Sequence, residues 1–493
     1  MAFVQILFLF IDSFFQLLYT QSVSKLRKEL NKMLYFLDRI INYISRNPAR
    51  ALVFSFLFVI FLGTTALTFP VAGRKAPVPF LTALFTATSA TCVTGLTVVD
   101  ISQVYSHFGQ WVILGLIQVG GLGMITFSTF FISIIAGNIG LHSREIIQES
   151  FSQQPTGNIL HLLYIILGVT FTIEGIGAAV LFIFYHQHLN FAISTSLYHA
   201  IFHSISAFCN AGFSLYSDSL IHFQGNWYYS LTIATLIVLG GIGFVVFYDL
   251  WQYFLAKSRG QVRKLSFHAL LVTRVTLVLI IFGAVMFFIF EYHNSLQNQP
   301  WPAKILISLF QSITPRTAGF NTIDIATLTP VTLCIILLLM FIGGSPGSTA
   351  GGIKTSTAAV VGALFWSRLK NEPHVSIQQR RVDESILSKS ISIFLFSTVT
   401  IGLFTLLLLT SELAGLSHQQ TRGFFLDILF EAVSAFCTVG LSTGITPHLT
   451  QVGQVFIVML MFLGRLGPLT VAVAVARGRP KKFQYAKEKF LVG

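Results

Sequence analysis

Long apolar stretches alternate with short polar links along most of this chain. Seven of these stretches approach the length of a membrane span, which needs about 20 apolar residues. The seven are Ala51–Pro70, Trp111–Ala136, Leu160–Tyr185, Leu231–Leu255, Leu271–Tyr292, Ile391–Leu413 and Val455–Ala476. The mean hydropathy is +0.75 and only 10% of the residues are charged, whereas soluble proteins carry about 25%. The pattern predicts an all-α integral membrane protein.

A shorter motif recurs four times between the long stretches. Each copy is rich in Phe, Ala, Ser and Thr and ends in a glycine, at Gly95, Gly212, Gly319 and Gly440. A helix of about 12 residues rises only about 18 Å, less than the hydrocarbon core of about 30 Å. Each copy therefore predicts a re-entrant half-helix, whose exposed backbone must face protein or water. We expect four helix–half-helix–helix repeats in pseudo-fourfold symmetry around a central pore.

The charged residues divide the chain into repeats and ends. Most Lys and Arg residues lie before the first repeat, between repeats or after the last one. This bias predicts cytoplasmic N- and C-termini, so the net charge of +13 indicates topology and attraction to anionic lipid, not nucleic acid. The predicted units are an apolar and basic extension at the cytoplasmic or interfacial side (1–47), repeats 1 to 4 (48–137, 158–256, 267–366 and 387–477) and a basic cytoplasmic tail (478–493).

The glycine loops carry the candidate chemistry. A dehydrated cation needs replacement oxygens, and backbone carbonyls supply them where the chain forms an extended turn. Glycine tolerates the φ values of such turns, and the negative C-terminal ends of the half-helices favour cations. One such glycine alone is an ordinary turn residue, but four in register favour a filter. The predicted filter residues are Cys92, Val93, Thr94, Gly95, Cys209, Asn210, Ala211, Gly212, Arg316, Thr317, Ala318, Gly319, Thr438, Val439 and Gly440.

Alignment on the four glycines defines two further positions. Six residues before the glycine stand Ser89, Ser206, Ile313 and Ser434, and three residues before it stand Cys92, Cys209, Arg316 and Cys437. No CxxC spacing occurs, so the cysteines predict neither a metal site nor a disulfide framework. We expect the Arg316 side chain to point behind the filter, since a cation on the axis would block conduction.

Carboxylates follow three of the four glycines. Asp100, Asp218 and Asp324 lie five or six residues after them. A ring of acids at an outer mouth would concentrate cations. The alternative is that these are ordinary loop acids or turn caps.

A run of small residues interrupts the long apolar segment of the third repeat. Its Gly and Pro content opposes a lipid-facing helix, so we expect a broken helix whose loop forms a movable plug below the filter. A static structural loop is the alternative. The predicted gate residues are Gly343, Gly344, Ser345, Pro346, Gly347, Ser348, Thr349, Ala350, Gly351, Gly352, Lys354 and Arg465. We expect Lys354 to end the plug at the cytoplasmic interface.

Arg465 lies in the apolar run of the fourth repeat. A guanidinium at the bilayer centre costs about 2.5–3.5 kcal/mol on insertion scales, so it should face water or a partner. We interpret it as an electrostatic barrier that donates hydrogen bonds to loop carbonyls near Gly347; pairing with an acid such as Glu174 is the alternative. The buried acid Glu431 is expected to tie its half-helix to a neighbouring backbone rather than to bind the ion.

These motifs resemble the potassium-translocating membrane subunits of the Ktr/Trk/HKT superfamily, most closely the KtrB type. The resemblance covers roughly residues 48–493. Its motifs are CVTGL with Asp100, FHSISAFCNAGFSL, ITPRTAGFNTID, VSAFCTVGLSTG, MFIGGSPGSTAGGIKT and MFLGRLGPLT.

The resemblance implies a transporter of K+, with Na+ as a possible activator, in the plasma membrane of a bacterium. It implies a multi-pass homodimer with one pore in each subunit, and no enzyme activity. It implies regulation by a cytosolic ring of nucleotide-binding RCK subunits of the KtrA type. Since this chain itself shows no nucleotide site, that partner is expected to be supplied in trans. In the family the loop at Gly343–Gly352 gates the pore and the position of Arg465 contacts it. Gly95 is typical of the potassium-selective members.

Two other functions are compatible with parts of the sequence. Broken helices also occur in cation-coupled secondary transporters of organic solutes, although four equal glycine loops serve no organic substrate. A membrane-embedded hydrolase would use Ser345 or Ser348 as nucleophile and His199 or His203 as base, but it explains none of the fourfold pattern.

Overall fold

The fold is almost entirely helical, as the hydrophobic pattern predicts. The computed structural model describes residues 48–122, 159–417, 419–467 and 470. The predicted extension (1–47), the predicted tail (478–493) and the ends of the first and fourth repeats lie outside the described residues.

Within the described ranges, each predicted repeat contains a first helix, a half-helix and a second helix. The first helices are Pro48–Thr68, Ile159–Gln187, Phe267–Glu291 and Glu384–Leu413. The half-helices are Phe80–Thr91, Ile193–Phe208, Trp301–Ile313 and Phe424–Phe436. The second helices are His107–Gly121, the broken pair Trp227–Gly241 and Phe244–Ser258, the broken pair Pro330–Phe341 and Thr355–Leu369, and Gln451–Leu466.

Short elements complete the described fold. A short α-helix covers Ile101–Val104. The 3₁₀ turns are Pro70–Ala72, Ile221–Phe223, Ile325–Thr327 and Thr446–His448. A small antiparallel hairpin between the third and fourth repeats pairs strands Ser376–Ile377 and Arg380–Arg381.

Three of the described helices are long and apolar enough to cross a bilayer, and a bent pair makes a fourth candidate. The straight candidates are Tyr164–Gln187, Phe267–Glu291 and Glu384–Leu413. Their outward faces carry exposed apolar side chains such as Phe171, Leu277 and Leu406. Such faces suit lipid contact, whereas their inward faces pack on the half-helices.

The apolar stretch Leu231–Leu255, expected to be one span, is bent by 103°. The break follows Gly241, and Gly243 has a φ of +93°, which favours glycine. A Cβ atom on Gly243 would lie 2.8 Å from the carbonyl oxygen of Pro346. The bend therefore makes room for the small-residue loop of the third repeat, a contact that hydropathy does not reveal.

The half-helices are short, as their sequences predict, and at least half of the residues of each are buried. They have 12, 16, 13 and 13 residues. Three of them end at a buried cysteine that caps the helix: Cys92, Cys209 and Cys437. These cysteines are free thiols that pack as small residues at helix ends.

Glycines of the second helices pack against the ends of the half-helices. Gly120 contacts the carbonyl oxygen of Thr91, and Gly240 contacts that of Phe208. Gly464 contacts the carbonyl oxygen of Phe436 in the same way. A Cβ atom at any of the three would overlap backbone, so these glycines allow the close helix approach that small residues provide in membranes.

Candidate functional site

The four loop glycines form a closed ring. A Cβ atom placed on each glycine would lie less than 3.0 Å from the carbonyl oxygen of the residue that precedes the next glycine. The carbonyl belongs to Ala211 for Gly95, to Ala318 for Gly212, to Val439 for Gly319 and to Thr94 for Gly440. The contacts run from the first repeat to the fourth and back to the first, so four segments far apart in sequence surround one point.

The ring loops share one backbone conformation. Each glycine has a positive φ, namely +95° at Gly95, +70° at Gly212, +77° at Gly319 and +91° at Gly440. Two residues earlier the chain again has a positive φ, at Val93, Asn210, Thr317 and Thr438. Left-handed backbone at a non-glycine residue is unusual. Its recurrence at four equivalent positions indicates one loop geometry used four times.

Hydroxyl groups on the half-helices contact each loop from behind. Ser89 and Ser434 accept hydrogen bonds from the N–H groups of Gly95 and Gly440, each at 3.1 Å. Ser206 donates to the carbonyl oxygen of Phe213 at 2.7 Å. These three serines are those that alignment on the glycine singles out.

In the third repeat the alignment selects the wrong residue. Thr314, not Ile313, donates to the carbonyl oxygen of Phe320 at 2.5 Å, so the segment between hydroxyl and glycine is one residue shorter there. A signal in the sequence could have revealed this shift. A buried phenylalanine stands four residues before each of the four hydroxyl residues, and the third repeat fits this pattern only when it is shifted by one position. The four are Phe85, Phe202, Phe310 and Phe430.

The Arg316 side chain lies behind its loop. Its guanidinium donates to the hydroxyl of Thr276 at 3.3 Å and to the carbonyl oxygen of Gly343 at 3.4 Å. Arg316 is 8% exposed. The side chain thereby links the third loop to its own first helix and to the start of the small-residue run.

The small-residue run lies directly against two of the ring loops. A Cβ atom on Gly351 would overlap the hydroxyl of Thr438, and one on Gly343 would lie 3.2 Å from Cγ2 of Thr317. Thr317 and Thr438 are the left-handed residues of the third and fourth loops. The loop of the third repeat therefore abuts the ring, next to the residues that shape it.

Hydrogen bonds fasten this loop to the bend in the second repeat. The backbone N–H of Ser345 donates to the carbonyl oxygen of Gly241 at 3.0 Å, and its hydroxyl donates to the carbonyl oxygens of Gly241 and Ile242. The N–H of Phe244 donates to the carbonyl oxygen of Gly347 at 3.1 Å. The bend leaves carbonyl and N–H groups of this helix without partners inside the helix, and the loop supplies their hydrogen-bond partners.

Arg465 joins the same loop to two other repeats. Its guanidinium donates to the carbonyl oxygen of Thr349 at 2.5 Å and to that of Gly120. Within the described part of the chain no carboxylate lies within salt-bridge distance of it. Glu174, the alternative partner, instead accepts from the Gln118 amide at 3.1 and 3.2 Å.

Two other charged residues lie close to the loop or on a half-helix. The Lys354 ammonium donates to the carbonyl oxygen of Ala350 at 2.7 Å, and the residue is half-buried; its place at the cytoplasmic interface stays a prediction. Glu431 accepts from the hydroxyl of Thr446, so it ties its half-helix to a side chain rather than to the neighbouring backbone that we expected. Both groups find partners within their own repeat.

The three outer carboxylates lie in the loops after the glycines. Asp100 and Asp324 cap short helical turns and accept hydrogen bonds from the N–H groups of Ser102 at 2.8 Å and Ala326 at 3.0 Å, while Asp218 is exposed. Partial burial raises the pKa of Asp100, but hydrogen bonds from the hydroxyls of Ser217 and Ser102 outweigh burial and keep the pKa below its usual value. This carboxylate therefore stays ionised in ordinary media.

The loop serines and the histidines of the hydrolase alternative lie in different networks. Ser345 donates to helix carbonyls, and Ser348 donates to the carbonyl oxygen of Ser345 at 2.7 Å. His203 lies within hydrogen-bonding distance of Ser214, at 3.3 Å. No histidine among the described residues bonds to either loop serine, so the geometry does not assemble a nucleophile and its base.

A family comparison agrees with this geometry over almost the whole chain. The model of the TrkH family, described as cation transport protein, matches residues 24–485. The chain belongs to the TrkH family. The predicted superfamily is thereby confirmed.

Individual TrkH-family relatives match along nearly their full length. The chain is 36% identical to the Ktr system potassium uptake protein B of Bacillus subtilis over 460 residues, which covers 92% of this chain and 99% of that protein. It is 32% identical to the potassium/sodium uptake protein NtpJ of Enterococcus hirae, over 91% of this chain and 97% of the relative.

A solved structure shares the fold. The crystal structure of the potassium transporter TrkH from Vibrio parahaemolyticus superimposes with a TM-score of 0.64, at 16% identity, over 86% of this chain and 84% of the other. At this identity the likeness establishes the architecture alone. The predicted all-α membrane fold is confirmed.

Proposed function

We propose that this chain is the potassium-translocating membrane subunit of a Ktr/Trk-type uptake system. The ion is K+, and it passes through the ring of glycine loops without its water shell. The observation that carries the proposal is the closure of that ring by Gly95, Gly212, Gly319 and Gly440. The relatives named as potassium and potassium/sodium uptake proteins support an alkali cation as the cargo.

The selectivity filter is assigned to the backbone of the four loops. Carbonyl oxygens replace the hydration shell of the ion, and the loops bring carbonyls from all four repeats close together. The half-helices end just before the loops, so their negative C-terminal ends favour a cation there. The glycines are required because a side chain would collide with the neighbouring carbonyl oxygen.

The gate is assigned to the loop Gly343–Gly352 together with Lys354 and Arg465. The loop abuts Thr317 and Thr438 of the filter, and conduction requires it to move aside. It is held by hydrogen bonds to carbonyl oxygens; the bond from the neutral Ser345 hydroxyl contributes about 1 kcal/mol and that from the charged Arg465 about 1.5–3 kcal/mol. A few such bonds hold the closed state without making it permanent.

The outer mouth is assigned to Asp100, Asp218 and Asp324. The loop of Asp218 contacts the other two, since the Gln103 amide lies 3.3 Å from the hydroxyl of Ser217 and the Leu220 N–H donates to the carbonyl oxygen of Asn321 at 3.0 Å. Carboxylates in such a vestibule raise the local cation concentration. Capping roles for Asp100 and Asp324 are compatible with this, because a carboxylate that caps a turn keeps its charge.

The subunit functions as one part of a larger assembly. The name of the Ktr relatives refers to a system, and the family resemblance supports a homodimer that binds a cytosolic, nucleotide-binding RCK ring of the KtrA type. Na+ is the proposed activator. The chain is placed in the bacterial plasma membrane, with both termini cytoplasmic and anionic lipid around its basic side.

Flux through purified protein tests the filter assignment. Wild type and Gly212→Ser are reconstituted in liposomes, and rubidium uptake is measured against competing K+ and Na+. Gly212 has a φ of +70° and its Cβ would lie 2.8 Å from the carbonyl oxygen of Ala318, so the variant should lose about tenfold in preference for K+ over Na+. Gly225→Ser is the matched control in the same repeat, because a Cβ at Gly225 meets no atom within 4 Å.

Unchanged selectivity in Gly212→Ser at equal reconstitution would remove the glycine ring from the ion path. Concentrative uptake of a labelled organic solute, without alkali-cation flux of its own, would favour the solute-transporter alternative.

A further inference from the structure

A second row of polar side chains lies behind the glycine ring. Each member stands three residues before a hydroxyl that contacts the loop, and each directly follows a buried phenylalanine. All four are at most 1% exposed. The members of this row, which we call the positioning row, are Thr86, His203, Gln311 and Glu431.

Each member hydrogen-bonds to a residue in the segment that follows the ring glycine of its own repeat. The hydroxyl of Tyr105 donates to that of Thr86 at 3.0 Å. In the fourth repeat, the hydroxyl of Thr446 donates to Glu431.

The third repeat follows the same rule with different groups. The Gln311 amide donates to the hydroxyl of Thr322 at 3.3 Å, three residues after Gly319. The four members therefore occupy equivalent positions but are four different residue types. For this reason an alignment of the four repeats does not reveal the row.

His203 connects the half-helix of the second repeat to the segment that follows Gly212. Its Nδ1 lies 2.9 Å from the carbonyl oxygen of His199, and a carbonyl can only accept, so Nδ1 carries the proton. Nε2 is then an acceptor, and it receives the N–H of Leu215 at 3.4 Å. Leu215 is three residues after Gly212, and the Tyr216 ring stacks on the imidazole with a centroid separation of 5.3 Å.

We propose that the positioning row sets the ion selectivity of the filter, with His203 as its specificity-determining member in the second repeat. The proposal rests on the assignment of the glycine ring as the filter. Selection between K+ and Na+ depends on the spacing and field of the carbonyl oxygens. A side chain that holds the exit of a filter loop constrains that spacing, although it never touches the ion; it is a positioning residue.

Substitutions at His203 test the proposal by the ratio of the Na+ inhibition constant to the K+ KM in liposomes. His203→Leu removes the acceptor and leaves the Leu215 N–H unpaired, so the ratio should fall about tenfold. His203→Gln supplies an amide oxygen at similar reach and should restore the ratio to within about twofold. His222→Leu, an exposed histidine of the same repeat, is the matched control and should not change it.

Two nearly isosteric variants test the row without changing a half-helix. Tyr105→Phe removes only the donor to Thr86, and Thr322→Val removes only the acceptor of Gln311. Each should lower the same ratio about threefold. These two variants still test the positioning row if His203→Leu does not fold.

Gly212→Ser in the same assay distinguishes failure of the positioning row from failure of the filter. A reduced ratio for Gly212→Ser with unchanged ratios for His203→Leu, Tyr105→Phe and Thr322→Val would overturn the positioning row and leave the filter intact. Unchanged ratios for all four variants would overturn the filter itself. A fall in uptake rate with no change in the ratio would mean that the row serves stability alone.

Discussion

The guanidinium of Arg465 donates a hydrogen bond to the carbonyl oxygen of Thr349, which lies in the loop between the two halves of a broken helix. The same guanidinium reaches the carbonyl oxygen of Gly120. One side chain of the fourth repeat thus fixes the loop of the third against the second helix of the first. Both the position of the loop and a positive charge near the proposed ion path depend on it.

Removal of Arg465 should speed conduction. Arg465→Ala deletes two hydrogen bonds to carbonyl oxygens and a buried charge that repels cations. We expect the initial rate of rubidium uptake per reconstituted protein to rise at least about fivefold, since each bond from a charged donor contributes about 1.5–3 kcal/mol. Arg422→Ala, at an exposed arginine, serves as control. Slower uptake at equal reconstitution would contradict the barrier role.

Loss of the Ser345 hydroxyl should loosen the closed loop. Ser345→Ala removes donation to the carbonyl oxygens of Gly241 and Ile242 at the helix bend. The loss of about 1 kcal/mol should raise basal flux without a cytosolic partner about fivefold. Ser258→Ala, which removes a hydroxyl bonded to its own helix at 2.9 Å, should leave flux as in wild type. Equal basal flux in Ser345→Ala and wild type would argue for a static loop.

Substitution of a packing glycine should destabilise the fold. A Cβ atom on Gly240 would overlap the carbonyl oxygen of Phe208, and overpacking against rigid backbone costs about 3 kcal/mol. The melting temperature of Gly240→Ala in detergent should therefore fall by several degrees. Gly168→Ala is matched to it, since Gly168 is also helical and its Cβ would meet no atom within 4 Å. A melting temperature equal to that of the control would disprove the close contact.

Neutralisation of Asp100 should weaken K+ uptake at low ionic strength. Asp100→Asn removes a charge near the proposed mouth, and the K+ KM should rise about twofold in dilute buffer and much less at about 0.5 M inert salt, which screens such fields.

The charge of Asp100 predicts how the K+ KM depends on pH. Because hydrogen bonds hold the pKa of Asp100 below its usual value, its carboxylate stays charged at pH 5.5 as it does at pH 7.5. The K+ KM of wild type should therefore not rise through this group between pH 7.5 and 5.5. A rise that Asp100→Asn abolishes would show that the carboxylate titrates in that range.

Local chemistry explains why much of the fold was predictable. The composition excludes a soluble protein, and the spacing of the glycines separates the half-helices from the spans. The run from Gly343 to Gly352 contains no bulky side chain, so a helix break there follows from propensity. These features depend only on residues that are close together along the chain, so they can be predicted from the sequence.

Other features depend on neighbours that are distant in sequence. The 103° bend at Gly243 was missed because the loop that fills it comes from another repeat. Thr314 was missed because one residue is absent between hydroxyl and glycine in the third repeat, and the glycine alignment hides that shift.

The sequence by itself determined the membrane class, the four half-helices and the four glycines, because hydrophobicity, helix length and φ preference are properties of short segments. Only the tertiary structure decided that Gly440 meets Gly95 and so closes the ring, and that Arg465 bonds to Thr349 rather than to Glu174. Such choices among donors and acceptors more than a hundred residues apart are made by packing, which places one carbonyl oxygen within reach and leaves the others too far away.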